Sequence, residues 1–284
     1  MTLSFDKKLE KDFISILESP PPIGKKKELI VHEFLENNPE LIPTPNLLNH
    51  HLHFGVVVSK FPLDTSLETD YVYLTKSSDT WIVTFVELEI PEKKLFTNNK
   101  KQVDTSSEFN KAIAQVRSWQ VFVEDNKAEV LRRLEPIFHP FVMRRNPVEF
   151  NYQLIIGRSE EKNSSPERMR ILARLRRETG IDIMTYDTLL NYYRHSERYK
   201  KDIISLSKNK MQFKYIHTES TMLFSYVSKD DFILTLEEKE YFRSKGYEID
   251  EWEKGNSLAV NGKYTMENFS KKSKEKSLSD TPDF

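Results

Sequence analysis

Three carboxylates in one short stretch define the chemistry open to this chain. Asp70, Glu87 and Glu89 lie in two apolar, β-rich runs, 68–74 and 81–90, joined by the turn-forming residues 76–80. If the two-residue loop is Ser78-Asp79, Ser77 faces Thr80, and counting back along both strands puts Asp70 directly opposite Glu87. Glu89, two residues on, shares their face. Directly opposed like charges, with Cβ atoms only ~5 Å apart, destabilise a sheet unless something offsets them. A divalent cation does so, because Mg2+ is held by one or two carboxylates together with waters and substrate phosphate. The plainer reading, that Asp70 and Glu87 are exposed strand carboxylates, is weakened by the apolar residues around them.

The elements that must hold these residues can be read from periodicity. A short amphipathic helix covers 5–18 and is stopped by Pro20, Pro21 and Pro22. A second helix, 25–37, ends at Asn38-Pro39; its apolar stripe is Leu29, Ile30 and Phe34, and Glu33 falls on that stripe, pointing inward or snorkelling from its edge. Strands are predicted at 54–61, 69–74 and 81–90, followed by a polar loop, 91–107, that carries Lys93, Lys94, Lys100 and Lys101. Phe109, Ala112, Ile113, Val116, Trp119 and Val123 repeat at helix period over 108–124, with Gln115 beside the stripe one turn before Trp119. The helix resumes over 127–134.

A buried strand, 152–156, runs into Gly157-Arg158. Pro166 opens a helix that Gly180 stops, with Met169, Leu172 and Leu175 as its core face and Arg170, Arg174 and Arg177 in a row on another. A strand at 181–185 and a helix at 186–193 follow. From 54 onward the order is three strands, helix, strand, helix, strand, helix, which describes an α/β fold with a mixed sheet flanked by helices.

The 284 residues are enough for one large core with additions. The absence of cysteine excludes disulfides, thiolate zinc sites and cysteine nucleophiles. No apolar run approaches the ~18 residues needed to span a bilayer, and 1–10 lacks the apolar segment of a signal peptide, so a soluble, cytoplasmic protein without membrane contact is expected. With a net charge of −1, any nucleic-acid contact must come from local basic patches. Past Lys200 the pattern weakens to β-like runs at 211–217 and 222–227, a helical piece at 237–244, and a Lys- and Ser-rich tail from 254 expected to be disordered. The expected organisation is an N-terminal helical extension (1–24), a core domain (25–200), a C-terminal extension (201–253) and the tail (254–284).

Asp70, then Glu87-x-Glu89 on the next strand, then a helix bearing Gln115, resembles the PD-(D/E)XK nuclease core. A closer resemblance runs through Glu33-Phe34-Leu35 with Asn38-Pro39, Val86-Glu87-Leu88-Glu89-x-Pro91, Ala114-Gln115-Val116, Ile156-Gly157-Arg158 and Thr185-Tyr186-Asp187-x-Leu189-Leu190. That ordered series is similar to the nuclease domain of Shedu anti-phage defence proteins and spans roughly 25–193. The resemblance implies a restriction-endonuclease-like fold and an Mg2+- or Mn2+-dependent endonuclease or nickase. It places the metal on Asp70, Glu87 and the main-chain carbonyl of Leu88, with Gln115 orienting water or phosphate and Glu33 assisting from a distance. It also implies double-stranded DNA as partner, free-ended or nicked forms included, and a homo-oligomer, a tetramer by analogy.

In one respect the chain departs from the broad motif: Glu89 stands where the general pattern has lysine. An ammonium would stabilise the attacking hydroxide, whereas a carboxylate adds repulsion toward DNA. Glu89 is left to bind a second metal or act as general base, or else chemistry has been lost and the fold is kept as a DNA- or protein-binding module, or as an interaction protein with a structural cation.

Among the basic residues, the loop lysines Lys93, Lys94, Lys100 and Lys101 are the better DNA candidates because they follow the acidic strand directly. Arg170 and Arg174 would either track a phosphate backbone or form a solvated face. Arg158, next to a strand end, suits a salt bridge or a phosphate. His50, His51 and His53 lack any zinc-site spacing and are expected to be ordinary histidines leading into a strand.

Overall fold

The computed structural model describes residues 2–47, 52–99, 102–219, 222–260, 262–268 and 270. Strands β1 (Val56–Pro62), β2 (Glu68–Lys76) and β3 (Trp81–Leu88) are nearly continuous apolar runs, and all eight residues of β3 are buried. A strand buried on both faces requires helices on both sides of its sheet. The sheet has eight strands in the order β5-β4-β3-β2-β1-β6-β7-β8, where β4 is Val148–Ile155, β5 Ile181–Met184, β6 Asp202–Ser207, β7 Lys210–Tyr215 and β8 Phe232–Ile233. β1, β2 and β3 are antiparallel neighbours, while β4 and β5 continue parallel to β3 and β6 runs parallel to β1. The α/β class and mixed sheet expected from the sequence are therefore present.

One helical layer consists of α1 (Lys7–Glu18), α2 (Lys27–Asn37) and α7 (Tyr186–His195). Its residues Phe13, Leu17, Val31, Leu35, Tyr186 and Leu189 pack on Val57, Tyr71, Tyr73, Val86 and Leu88. The opposite layer contains α3 (Ser107–Asp125), α4 (Lys127–Leu134) and α6 (Pro166–Thr179), with the short α5 (Ser159–Asn163) leading into α6. Here the helical stripe Phe109, Ala112, Val116, Trp119 and Val123 covers Val72, Leu74, Val83 and Phe85. α3 starts where Ser106 Oγ accepts from Phe109 N, and α6 ends at Gly180, whose φ of 66° suits only glycine without strain.

Several local expectations are corrected. α2 buries Lys27, Val31, His32, Leu35 and Glu36, while Leu29 and Glu33 are exposed, so the helix is rotated away from the phase that its apolar residues suggest. The reason is polar: Glu36 is held by Ser59 Oγ at 2.5 Å and Lys214 Nζ at 2.8 Å, and these bonds outweigh burying Leu29. The run 222–227 contains a short helix, α8 (Leu223–Tyr226), and Met169 on the expected core face of α6 is exposed. Residues 201–253 add β6, β7 and β8 to the sheet, with α9 (Leu236–Ser244) and α10 (Ile249–Glu253) packed beside them. Within the tail expected to be disordered, Leu258 and Ala259 are buried, and Leu258 N donates to Phe224 O at 3.1 Å. The remainder of that tail, 271–284, lies outside the described residues.

Candidate metal centre at the end of the sheet

The hairpin closes as its turn residues require, with Ser77 N donating to Thr80 O at 2.9 Å. Its register runs from Lys76↔Trp81 to Tyr71↔Val86, and Asp70 and Glu87 are the next residues on the two strands, close enough for the charge of Asp70 to act on Glu87. There the strands part. Leu88 N, past the last ladder pair, donates to Asp70 Oδ2 at 2.6 Å in place of a main-chain carbonyl. The site is thus built where backbone pairing stops and a side chain takes over its hydrogen bond.

On the other side of Asp70 stands Lys60. In the β1–β2 pairing, Ser59↔Tyr71 and Phe61↔Thr69 flank it, and Lys60 itself has a φ of 50°. Its Nζ lies 2.5 Å from Asp70 Oδ1. From α2, His32 Nε2 approaches the same oxygen to 3.2 Å, and Glu28, one turn earlier, completes a Glu28–His32–Asp70 cluster whose ligand atoms all lie within 4.8 Å of one another. This cluster has the donors to coordinate a metal ion. Asp70 is buried, which alone would raise its pKa; contacts with His32 and Lys60 outweigh burial and hold it below the ordinary value.

Glu87 titrates in the opposite sense. Burial first, then the charges of Asp70 and Glu89, push its pKa up to about 10. Gln115 on α3 reaches it, Nε2 to Oε1 at 2.6 Å. Glu89 forms an ion pair with Lys93, and its main-chain carbonyl accepts from Tyr186 Oη at 2.6 Å. An acid that must lose a proton to ionise, beside a carboxylate held by an ammonium and an imidazole, suits the donor set of a divalent cation.

Asp70, Glu87, Leu88 and Gln115 thus come together, with Glu89 at the margin. Glu33 does not join them: it lies on the exposed face of α2, and Glu28 and His32 occupy the side turned to Asp70. Arg158 is committed to Asp187, with three contacts of 3.0–3.2 Å, and to Glu18 at 3.5 Å. Arg170 and Arg174 are exposed on α6, the latter paired with Glu178 at 2.6 Å. Lys94 is exposed and Lys93 half-buried on Glu89; Lys100, Lys101, His50 and His51 lie outside the described residues. His53 is buried against Ile137 O at 2.7 Å, and burial lowers its pKa to about 3, as for a structural histidine. Lys60, His32 and Glu28 escaped the sequence reading, although the i, i+4 spacing of Glu28 and His32 was a usable signal.

Among the described residues no helix is long and apolar enough to cross a membrane. Comparison with curated proteins finds no match. A family model described as Shedu protein SduA, C-terminal, matches residues 25–190, more than half of the chain, and takes in α2, the hairpin, α3 and the first half of α7. With a mixed sheet flanked by helices and an acidic cluster at its parted end, the chain belongs to the Shedu family of anti-phage defence proteins.

Proposed function

We propose that this protein is a metal-dependent DNA endonuclease or nickase that hydrolyses phosphodiester bonds in anti-phage defence. The observation that carries the reading is the facing pair Asp70 and Glu87 at the parted end of adjacent strands, each oriented by a separate neighbour, Leu88 N and Gln115 Nε2. Asp70, Glu87 and the carbonyl of Leu88 would hold Mg2+ or Mn2+. When bound, such an ion lowers the pKa of its water and stabilises charge on the phosphoryl oxygens.

The chain's own residues supply the rest. Gln115 fixes the orientation of the Glu87 carboxylate. Lys60 brings an ammonium beside Asp70, which offsets the lack of lysine at position 89. Lys93 neutralises Glu89, so the third carboxylate repels an approaching phosphate less than its formal charge suggests. The exposed Lys94, Arg170 and Arg174, together with Lys100 and Lys101, are the proposed backbone contacts for double-stranded DNA, and a cytoplasmic homo-oligomer is the proposed working form.

A second reading, a binding module without chemistry, is favoured by the Lys60–Asp70 pair, which already neutralises one carboxylate. Supercoiled plasmid relaxation in Mg2+ or Mn2+, with wild type beside Asp70→Ala and Glu87→Ala, separates the two. Relaxation lost in both variants supports the nuclease; DNA binding with no relaxation by wild type supports the module; relaxation unchanged in both variants refutes the site.

A further inference from the structure

Buried polar atoms without hydrogen bonds are rare and call for a partner. His32 is only 5 % exposed, yet among the described residues neither of its ring nitrogens makes a hydrogen bond. Nε2 is 3.2 Å from Asp70 Oδ1, a charge contact, and Nδ1 on the other side of the ring meets no partner among the described residues. Tyr71, whose ring centroid is 5.6 Å from that of His32, also has an unpartnered buried hydroxyl.

The surroundings show what His32 faces. Glu28 and His32 are one turn apart on α2, and their donor atoms converge with an oxygen of Asp70 to within 4.8 Å. Two metal–ligand bonds of about 2.1 Å span at most about 4.2 Å, so the three donors need to close by roughly half an ångström. α2 itself is anchored, because Glu36, one turn after His32, is tied to Ser59 on β1 and to Lys214 on β7, so that adjustment falls to the side chains.

We propose that Glu28, His32 and Asp70 form a second divalent-cation site, of mixed nitrogen and oxygen donors, which takes Mn2+ or a similar borderline transition ion in preference to Mg2+ and shares Asp70 with the Glu87 side. The preference follows from the donors: imidazole suits transition ions, whereas Mg2+ dehydrates reluctantly and favours oxygen. Lys60 holds the shared oxygen and, with its side chain 37 % exposed, has solvent to swing into when a dication binds. The inference rests on the reading of Asp70 as a cation ligand, and on no step of DNA cleavage.

The test is titration of Mn2+ into the full chain, read by calorimetry and by pulsed electron paramagnetic resonance of the bound ion. Wild type is expected to bind two ions per chain and to show coupling to a directly coordinated nitrogen, with Mg2+ displacing only the ion that lacks it. His32→Gln should lose the nitrogen coupling and one ion. Glu28→Ala, at an exposed position where folding is not at stake, should weaken that site at least about ten-fold. Wild type without nitrogen coupling, or an unchanged stoichiometry and affinity in both variants, overturns the proposal. Glu87→Gln keeps the two readings apart: nitrogen coupling retained with nicking lost upholds both, whereas coupling retained with nicking unchanged upholds the second site and removes only the nuclease assignment.

Discussion

Lys60 and Asp70 face each other across β1 and β2, with Nζ 2.5 Å from Oδ1, at a residue whose backbone lies in the left-handed region. For a lysine that conformation costs about 1–3 kcal/mol and persists only where its surroundings impose it. Removing one partner of a fully buried ion pair costs about 3–5 kcal/mol; the partial exposure of Lys60 places its loss below that range. Lys60→Met is therefore expected to melt at a lower temperature than wild type in chelator, and to recover more on adding Mn2+, because the ion then neutralises Asp70 alone. Thermal melts with and without Mn2+ check this; equal recovery in both proteins contradicts it.

Gln115 touches Glu87 and Glu33 touches nothing in the site. Gln115→Ala is expected to slow plasmid nicking about 10–100-fold, the usual effect of losing a residue that orients a metal ligand, with a weaker apparent Mg2+ affinity. Glu33→Ala should nick at the wild-type rate. Magnesium titrations of nicking by both variants decide between the two residues.

Gly157 has a φ of 63°, and a Cβ placed there would stand 2.6 Å from Lys93 O. Gly157→Ala thus combines left-handed strain with a collision against the backbone of the segment that carries the Glu89–Lys93 pair. A loss of more than about 1 kcal/mol is expected in urea denaturation. A midpoint within error of wild type would show that the 91–96 segment moves aside freely.

Lys201 is buried, donates to Pro39 O at 2.8 Å just after α2, and burial lowers its pKa to about 7 from the ordinary 10.5. Between those values the unfolded chain binds a proton that the folded chain does not, so this group adds stability as pH rises, in full above about 10.5, and the contribution is lost as pH falls through about 7. Lys201→Met should remove that dependence. Denaturation of both proteins at about pH 7 and about pH 9.5 measures it: wild type is expected to gain stability relative to the variant at the higher pH, and a constant difference contradicts the assignment.

Arg158 and Arg170 should behave differently although both were DNA candidates. Arg158→Ala breaks the contacts to Asp187 and Glu18 and is expected to lower stability. Arg170→Ala should leave the melt unchanged, weaken DNA binding, and reduce the salt slope of binding by about one. Binding isotherms at several salt concentrations provide the comparison.

The Asp70–Glu87 juxtaposition was readable because a two-residue turn sets strand register and the side-chain period of two does the rest. Gln115 followed from the helical period of α3, which its apolar stripe marks clearly. Lys60 was hidden because β1 and β2 are joined through a wider loop, closed by Leu63 N to Leu67 O at 2.8 Å, which leaves their register open in the sequence. His32 was hidden for a different reason. The buried side of α2 carries Lys27, His32 and Glu36: Lys27 is held by Ser19 O, Glu36 by Ser59 and Lys214, and His32 is turned toward Asp70 at 3.2 Å. Hydrophobic periodicity has no means of seeing such a face. β6 escaped likewise, since its parallel pairing with β1 is fixed by contacts more than a hundred residues apart.

The most direct measurement is the single-turnover rate of nicking of supercoiled plasmid in Mg2+ by wild type and by Glu87→Gln, which removes the charge while keeping the shape and the contact to Gln115. Wild type is expected to nick, and the variant, folded and still able to bind DNA, to be slower by at least about a hundred-fold. Equal rates in the two proteins would contradict the claim that Asp70 and Glu87 together hold the ion on which cleavage depends.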